Sequence, residues 1–245
     1  NIALPLVLIG TTAGTGSEVD SVSVLSNKKN GRKKSINFAD CAPKLTFADS
    51  AYTHSMPYSV TVSTALDALS HAIEGYLGNK CTDIPTMFAE KAIPMIWEGL
   101  KFLEKEKRLP DAKMREQLYY GSLYAGITLS YCGTAFPHPL GYVLTENFGV
   151  PHGFACAAFM PELIRRAVRY ERDKARRLFN LMKTNSAEFF GVIMSLCVLG
   201  DIVMTEDELS EWCERWNTVP GNFLASPGGF TKEEAKTMLR NKFVK

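Results

Sequence analysis

The chain has 245 residues, 46% of them hydrophobic and 22% charged, a globular composition with room for one large or two small domains, which excludes disordered, collagen-like and mucin-like chains. Lys and Arg number 28 against 26 Asp and Glu, and a net charge of +2 provides no general field for gripping nucleic acid or an anionic membrane. Six cysteines at 41, 81, 132, 156, 197 and 213 contain no C-x-x-C pair, so reduced thiols and a cytoplasmic location are expected rather than a zinc ribbon or a disulfide framework.

The first ten residues, Asn1 to Gly10, carry an apolar run without a basic n-region or an initiator Met. They read as a strand entered partway through a protein, not as a signal peptide. Val22 to Leu25 and Ser35 to Phe38 are further β-like runs, and Asn30-Gly31 between them is a hairpin signal, because both residues tolerate positive φ. The basic stretch Lys28 to Lys34 reads as a hairpin tip with its charges in water. From Pro57 onward the apolar period becomes helical, over Val62–Leu77, Thr86–Leu103, Met114–Leu129, Phe154–Tyr170, Asp173–Leu181 and Ala187–Leu199. The last of these overlaps the longest apolar run, Phe189 to Gly200, which is shorter than the ~20 residues of a membrane span and is expected to be a buried core helix. Thr205 with Glu208, and Thr231 with Glu234, have capping-box spacing ahead of two more helices. The fold class expected is mainly α, an all-helical body over 56–245 preceded by strands over 1–55.

Four histidines occur, His54, His71, His138 and His152. Asp67 and His71 are four residues apart, so on a helix they share one face. His138 follows the segment 133–137 and His152 lies in Pro151-His152-Gly153, so each enters from a loop or a helix terminus. One Asp with three His suits Fe²⁺ or Zn²⁺ better than Ca²⁺ or Mg²⁺. Taken singly, each of these residues also reads as an exposed i, i+4 pair or a packed imidazole. The small and hydroxyl-rich run Gly10 to Glu18 follows an apolar strand. Two readings stand side by side for it: a cradle for phosphate or a nicotinamide edge, or a tight turn closing a β-rich edge.

Taken in order, Thr11-Thr12-Ala13-Gly14-Thr15-Gly16-Ser17-Glu18, Asp49 with Met56-Pro57, Asp67-Ala68-Leu69-Ser70-His71-Ala72-Ile73-Glu74 and Val150-Pro151-His152-Gly153 resemble the iron-containing (group III) alcohol dehydrogenase family. The resemblance runs through essentially the whole chain. It implies the last strands of an α/β dinucleotide-binding domain over 1–55 and a complete helical metal-binding domain over 56–245, a dehydroquinate synthase-like architecture when complete. It also implies a chain lacking most of the cofactor domain, since the family's Gly-Gly-Gly-Ser pyrophosphate loop has no counterpart here. The metal ligands carried over by position are Asp67, His71, His138 and His152, holding Fe²⁺ or Zn²⁺. NAD or NADP would lie against Thr11, Thr12, Gly14, Thr15, Gly16 and Ser17, with Lys34 and its neighbour Lys33 reaching the phosphates.

Many family members carry a further His four residues after the third ligand, and here that position is Tyr142, taken as the candidate catalytic residue. His138 to Thr145 is similar in pattern to a branch that includes phosphonoacetaldehyde reductases. The implied activity is hydride transfer between a nicotinamide and a small alcohol or aldehyde, in a homo-oligomer without nucleic-acid or membrane partners. The competing expectation is a non-catalytic metal-binding helical domain or a degenerate relative. His54 matches no ligand position and is expected to be structural.

Overall fold

The structure, a computed structural model, describes residues 4–29 and 31–244. Four short strands come first. β1 (Val7–Ile9) pairs in parallel with β4 (Leu45–Phe47), in the register Val7 to Leu45 and Ile9 to Phe47. Between them β2 (Val22–Ser26) and β3 (Lys33–Asn37) form an antiparallel hairpin, Val22 opposite Asn37. The hairpin expected from the sequence is present, and Gly31 in its turn has φ of 69°. Asn30, the other residue of that turn signal, and Asn1 to Ala3 lie outside the described residues.

The helices begin at Tyr58, directly after Pro57, whose fixed φ suits a helix start. α1 (Tyr58–Leu77) is the axis of the molecule. From Thr61 to Leu77 every residue except Thr64 is buried, because α2 (Asp83–Glu106), α3 (Ala112–Cys132) and α5 (His152–Ala157) pack on different sides of it. α4 (Pro137–Phe148) packs on α5. Then follow α6 (Met160–Tyr170), α7 (Arg172–Met182), α8 (Ser186–Leu196), α9 (Glu206–Cys213), α10 (Gly221–Ala225) and α11 (Lys232–Phe243). Both expected capping boxes are formed, Thr205 with Glu208 opening α9 and Thr231 with Glu234 opening α11. The mainly helical fold class is the one the sequence implied.

Two sequence expectations are corrected, and one helix carried no sequence signal. Phe154–Tyr170 is two helices, not one, because Pro161 has no amide to donate back to the Ala157 carbonyl, and the chain resets at Ala158 and Phe159. The apolar run Phe189–Gly200 is not a fully buried helix. α8 stops at Leu196 and buries only one face, through Phe189, Val192, Ile193 and Leu196, while Met194 is exposed. α4 lacked a clear apolar period, since its first turn is Pro137-His138-Pro139, and it forms with Pro at the positions where a helix needs no donor.

Candidate metal centre

Three segments deliver the side chains. α1 carries Asp67 and His71 on one buried face, and Glu74 one turn further. His138 stands in the first turn of α4, whose entry is pinned from three sides. The Ala135 N–H donates to Glu74 Oε2 (2.8 Å), the Phe136 N–H donates to Ser226 Oγ (3.0 Å), and Asn222 Nδ2 donates to Thr134 Oγ1 (2.6 Å). His152 opens α5, which lies so close to α1 that a Cβ on Gly153 would stand 1.7 Å from the Ser63 carbonyl oxygen. Glycine at 153 is therefore what allows His152 to reach Asp67.

The result is convergent. The Nε2 atoms of His71, His138 and His152 each lie 3.8 Å from Asp67 Oδ1. That separation is too long for a hydrogen bond. Donors each about 2.0–2.2 Å from one shared ion stand about 3.4–4 Å from one another, so the spacing fits a common cation. Asp67 Oδ1 and His138 Nε2 are buried with no hydrogen-bond partner, as is His71 Nδ1 on the far side of its ring. Orphaned buried donors and acceptors are costly, and here two of them point at the same place. The donor set therefore fits a divalent cation.

Electrostatics agree with the geometry. Burial pushes the Asp67 carboxyl up, but the three imidazoles, His71 foremost, hold it below its usual value. Burial draws His138 and His152 down to about 4 against the pull of Asp67, and lowers His71 as well. At neutral pH the rings are thus uncharged, with a lone pair free for a metal. His138 Nδ1 lies 2.7 Å from Glu74 Oε1. With the proton on Nδ1 it donates to Glu74, which leaves Nε2 as the lone pair aimed at Asp67. Burial raises the Glu74 carboxyl well above its ordinary value, opposed by the hydrogen bond from Ala135.

Among the described residues Cys156 is a further donor nearby, in a group that does not include His71. One ligand atom each from Asp67, His138, His152 and Cys156 fall within 4.8 Å of one another. Its thiol sits 3.6 Å from His152 Nε2, and burial pushes it well up, so with no ion bound it is a protonated neighbour of the cluster. Tyr142 stacks on His152 with ring centroids 5.3 Å apart and an interplanar angle of 10°.

A cavity of about 620 Å³ opens over these residues. Its far wall is the hairpin. Val22 and Val24 of β2 and Lys33, Ser35 and Asn37 of β3 face inward, so Lys34, one step out of phase, lies on the other face. The hairpin is held over α4 by Glu146, whose Oε1 accepts from the Lys33 N–H (2.6 Å) and which Arg215 grips with Nη1 and Nη2. From the hydroxyl-rich loop only Thr15 and Ser17 line the cavity. Thr11 is exposed and Thr12 half-buried. Gly14 and Gly16 face helices, a Cβ on either meeting Thr64 of α1 or Gly126 of α3 within 2.7 Å. His54 is exposed and lines none of the cavity.

Comparison with known proteins bears on what this constellation belongs to. The C-terminal family of Fe-containing alcohol dehydrogenases matches residues 61–212, and iron-containing alcohol dehydrogenase matches residues 1–50. The chain belongs to the iron-containing alcohol dehydrogenase family. A probable alcohol dehydrogenase EutG of Escherichia coli K12 is 30% identical over 86% of this chain and 55% of its own length. An iron-containing alcohol dehydrogenase of Thermotoga maritima superposes with a TM-score of 0.85 at 30% identity, covering 97% of this chain and 63% of that one. A sulfoacetaldehyde reductase of Bifidobacterium kashiwanohense, solved in complex with NAD⁺, gives 0.82 at 27% identity, over 97% and 64%. This iron-containing alcohol dehydrogenase family member thus spans about half the length of the first curated relatives it matches.

Sequence reasoning overlooked the roles of Glu74, Cys156 and Asp20. Glu74 was legible by position, being three residues beyond His71 and seven beyond Asp67 on the same helix face. Cys156 was legible too, four residues beyond His152 on α5. Asp20, a buried carboxyl on the cavity wall that accepts from the Ser21 and Val22 N–H groups, carried no such signal, because it belongs to a loop.

Proposed function

We propose that this chain is the metal-binding part of an oxidoreductase that interconverts a small alcohol and its aldehyde with NAD or NADP. The ligands are Asp67, His71, His138 and His152, the metal is iron as the family's name implies, and residues 1–55 belong to the cofactor side while 56–245 form the helical metal domain. The observation that carries this reading is the set of three imidazole nitrogens equidistant from an orphaned carboxylate oxygen. Asp67, His71, His138 and His152 would hold a divalent ion that would supply Lewis-acid activation of the substrate oxygen, with the hydride chemistry supplied by a nicotinamide. The remaining work falls to this chain's own residues. Asp67 supplies one negative charge against the cation, and Glu74 fixes the tautomer and orientation of His138. Tyr142 has its phenol pushed up by burial, so it stays protonated at neutral pH and donates a hydrogen bond toward the substrate oxygen while its ring braces His152. Thr15 and Ser17 offer hydroxyls, and Lys33, in the role expected for Lys34, an ammonium to the cofactor.

The test is metal content after anaerobic loading with Fe²⁺. The native chain is expected to retain about one ion, Asp67→Ala none, and Glu74→Gln to bind roughly 10–100-fold more weakly. A native chain that retains no iron, or an Asp67→Ala chain that retains it fully, overturns the reading.

A further inference from the structure

We propose that Cys81 and Cys132 form a thiol–disulfide exchange site, closed to an intramolecular disulfide by a low-molecular-weight disulfide and reopened by a thiol. Cys81 lies just before α2 and Cys132 ends α3, and the fold brings these sulfurs to 2.9 Å, with the Cys132 S–H donating to Cys81 Sγ. Both are free thiols, and among the described residues no other two sulfurs share a hydrogen bond. Cys132 lines the rim of the cavity that opens over the proposed ligands, but neither sulfur is one of those ligands or is needed by the chemistry proposed for them.

The two sulfurs are unequal in the way exchange requires. Cys81 is half-buried and Cys132 buried, so a small disulfide meets Cys81 first. The groups facing Cys81 are Cys132 from α3, Thr86 Oγ1 of α2 at 3.4 Å, the Lys174 ammonium of α7 and the Tyr76 phenol of α1. The Cys132 hydrogen bond, opposed by burial and helped by Thr86 and Lys174, lowers the Cys81 thiol below its ordinary value, while Cys132 is raised by the same bond. Cys81 is therefore the more accessible and more readily ionised sulfur of the two, with its proton-bearing partner already in contact.

The step balances as ordinary exchange. The Cys81 thiolate attacks one sulfur of the small disulfide, forming a mixed disulfide and expelling a thiolate. Cys132 then attacks the Cys81 sulfur, its proton passing to the second small thiolate that leaves. Two protein thiols are oxidised and one small disulfide is reduced to two thiols. A disulfide bond of about 2.05 Å draws the sulfurs roughly 0.9 Å closer than they stand now. Cys132 leads through Gly133 and Thr134, which line the cavity, to Ala135, whose N–H holds Glu74. The pair is thus placed to report redox state to the cavity wall, a consequence that rests on the proposed function, whereas the exchange chemistry does not.

The test incubates the full chain with oxidised glutathione, blocks the remaining thiols with iodoacetamide and maps peptides without reduction. The expected product is a Cys81–Cys132 cross-linked peptide that disappears with dithiothreitol. In Cys132→Ser the reaction is expected to stop at a glutathione adduct on Cys81. Iodoacetamide labelling of Cys81 in the native chain is expected to rise with a midpoint below that of an ordinary thiol, about 8.5. The absence of the cross-link from the native chain, or adducts falling on other cysteines in its place, overturns the proposal whatever the variants do, and iron retention is unaffected by that outcome.

Discussion

α1 and the strand pair β1 and β4 are built from similarly apolar sequence and end in opposite situations. α1 has neighbours on several sides, and its face with Asp67, His71 and Glu74 is buried, Glu74 answered by the Ala135 N–H and His138 while Asp67 and His71 keep unpartnered atoms. In the parallel pair, Val7 and Ile9 of β1 and Leu45 and Phe47 of β4 are each about half exposed. Parallel strands with near-continuous apolar runs are ordinarily covered on both faces. The contrast teaches that a side chain's hydrophobicity fixes which surface wants cover, while only the neighbours decide whether it is covered, and Asp67, His71 and His138 of the candidate metal centre sit in the covered region with His152 at its open edge.

The largest expected difference between the two regions is in hydrogen exchange. Amides of α1 from Leu66 to Leu77 should exchange only through global opening, with protection of about 10³-fold or more, whereas those of β1 and β4 should exchange near the unprotected rate. Mass-spectrometric exchange of the native chain reads both at once. Equal protection in the two would break the comparison and mean that the β1–β4 pair is covered in solution.

The same contrast explains what the sequence allowed to be read. The helical body was legible because a 3.6-residue apolar period survives wherever one face is buried, and Asp67 with His71 was legible because four residues make one turn. His138 and His152 were visible as residue types in Pro- and Gly-rich surroundings. Their meeting with Asp67 depended on Gly153 letting α5 approach α1 and on Glu74, Ser226 and Asn222 pinning the start of α4, contacts between residues far apart in the chain. Lys34 was preferred to Lys33 because period-2 alternation says that neighbours face apart without saying which of them faces the site.

Gly153→Ala attacks the helical side of the comparison directly. The added methyl meets the Ser63 carbonyl, a backbone atom that has no rotamer to change, so α5 has to move off α1. Urea unfolding should show a loss of about 2–3 kcal/mol, and iron retention should fall with it because His152 moves away from Asp67. Unchanged stability and unchanged iron would mean that α5 relaxes without cost, and that the close approach does not set the site.

The smallest effect belongs to the strand side. Gly31 is required for its backbone conformation, not for contact, since φ is 69° and a Cβ there would meet nothing within 4 Å. Gly31→Ala should therefore cost about 1 kcal/mol, the penalty of a left-handed alanine. Where that cost appears is informative. The β2–β3 hairpin touches the helical body through the Lys33 N–H to Glu146, itself clamped by Arg215. If this link is an anchor only, exchange of the hairpin amides should quicken about fivefold while α1 is unaltered. If the α1 amides quicken by the same factor, hairpin and helical body open as one cooperative unit, and the cavity wall over Tyr142 and His152 is as firmly held as the ligands beneath it.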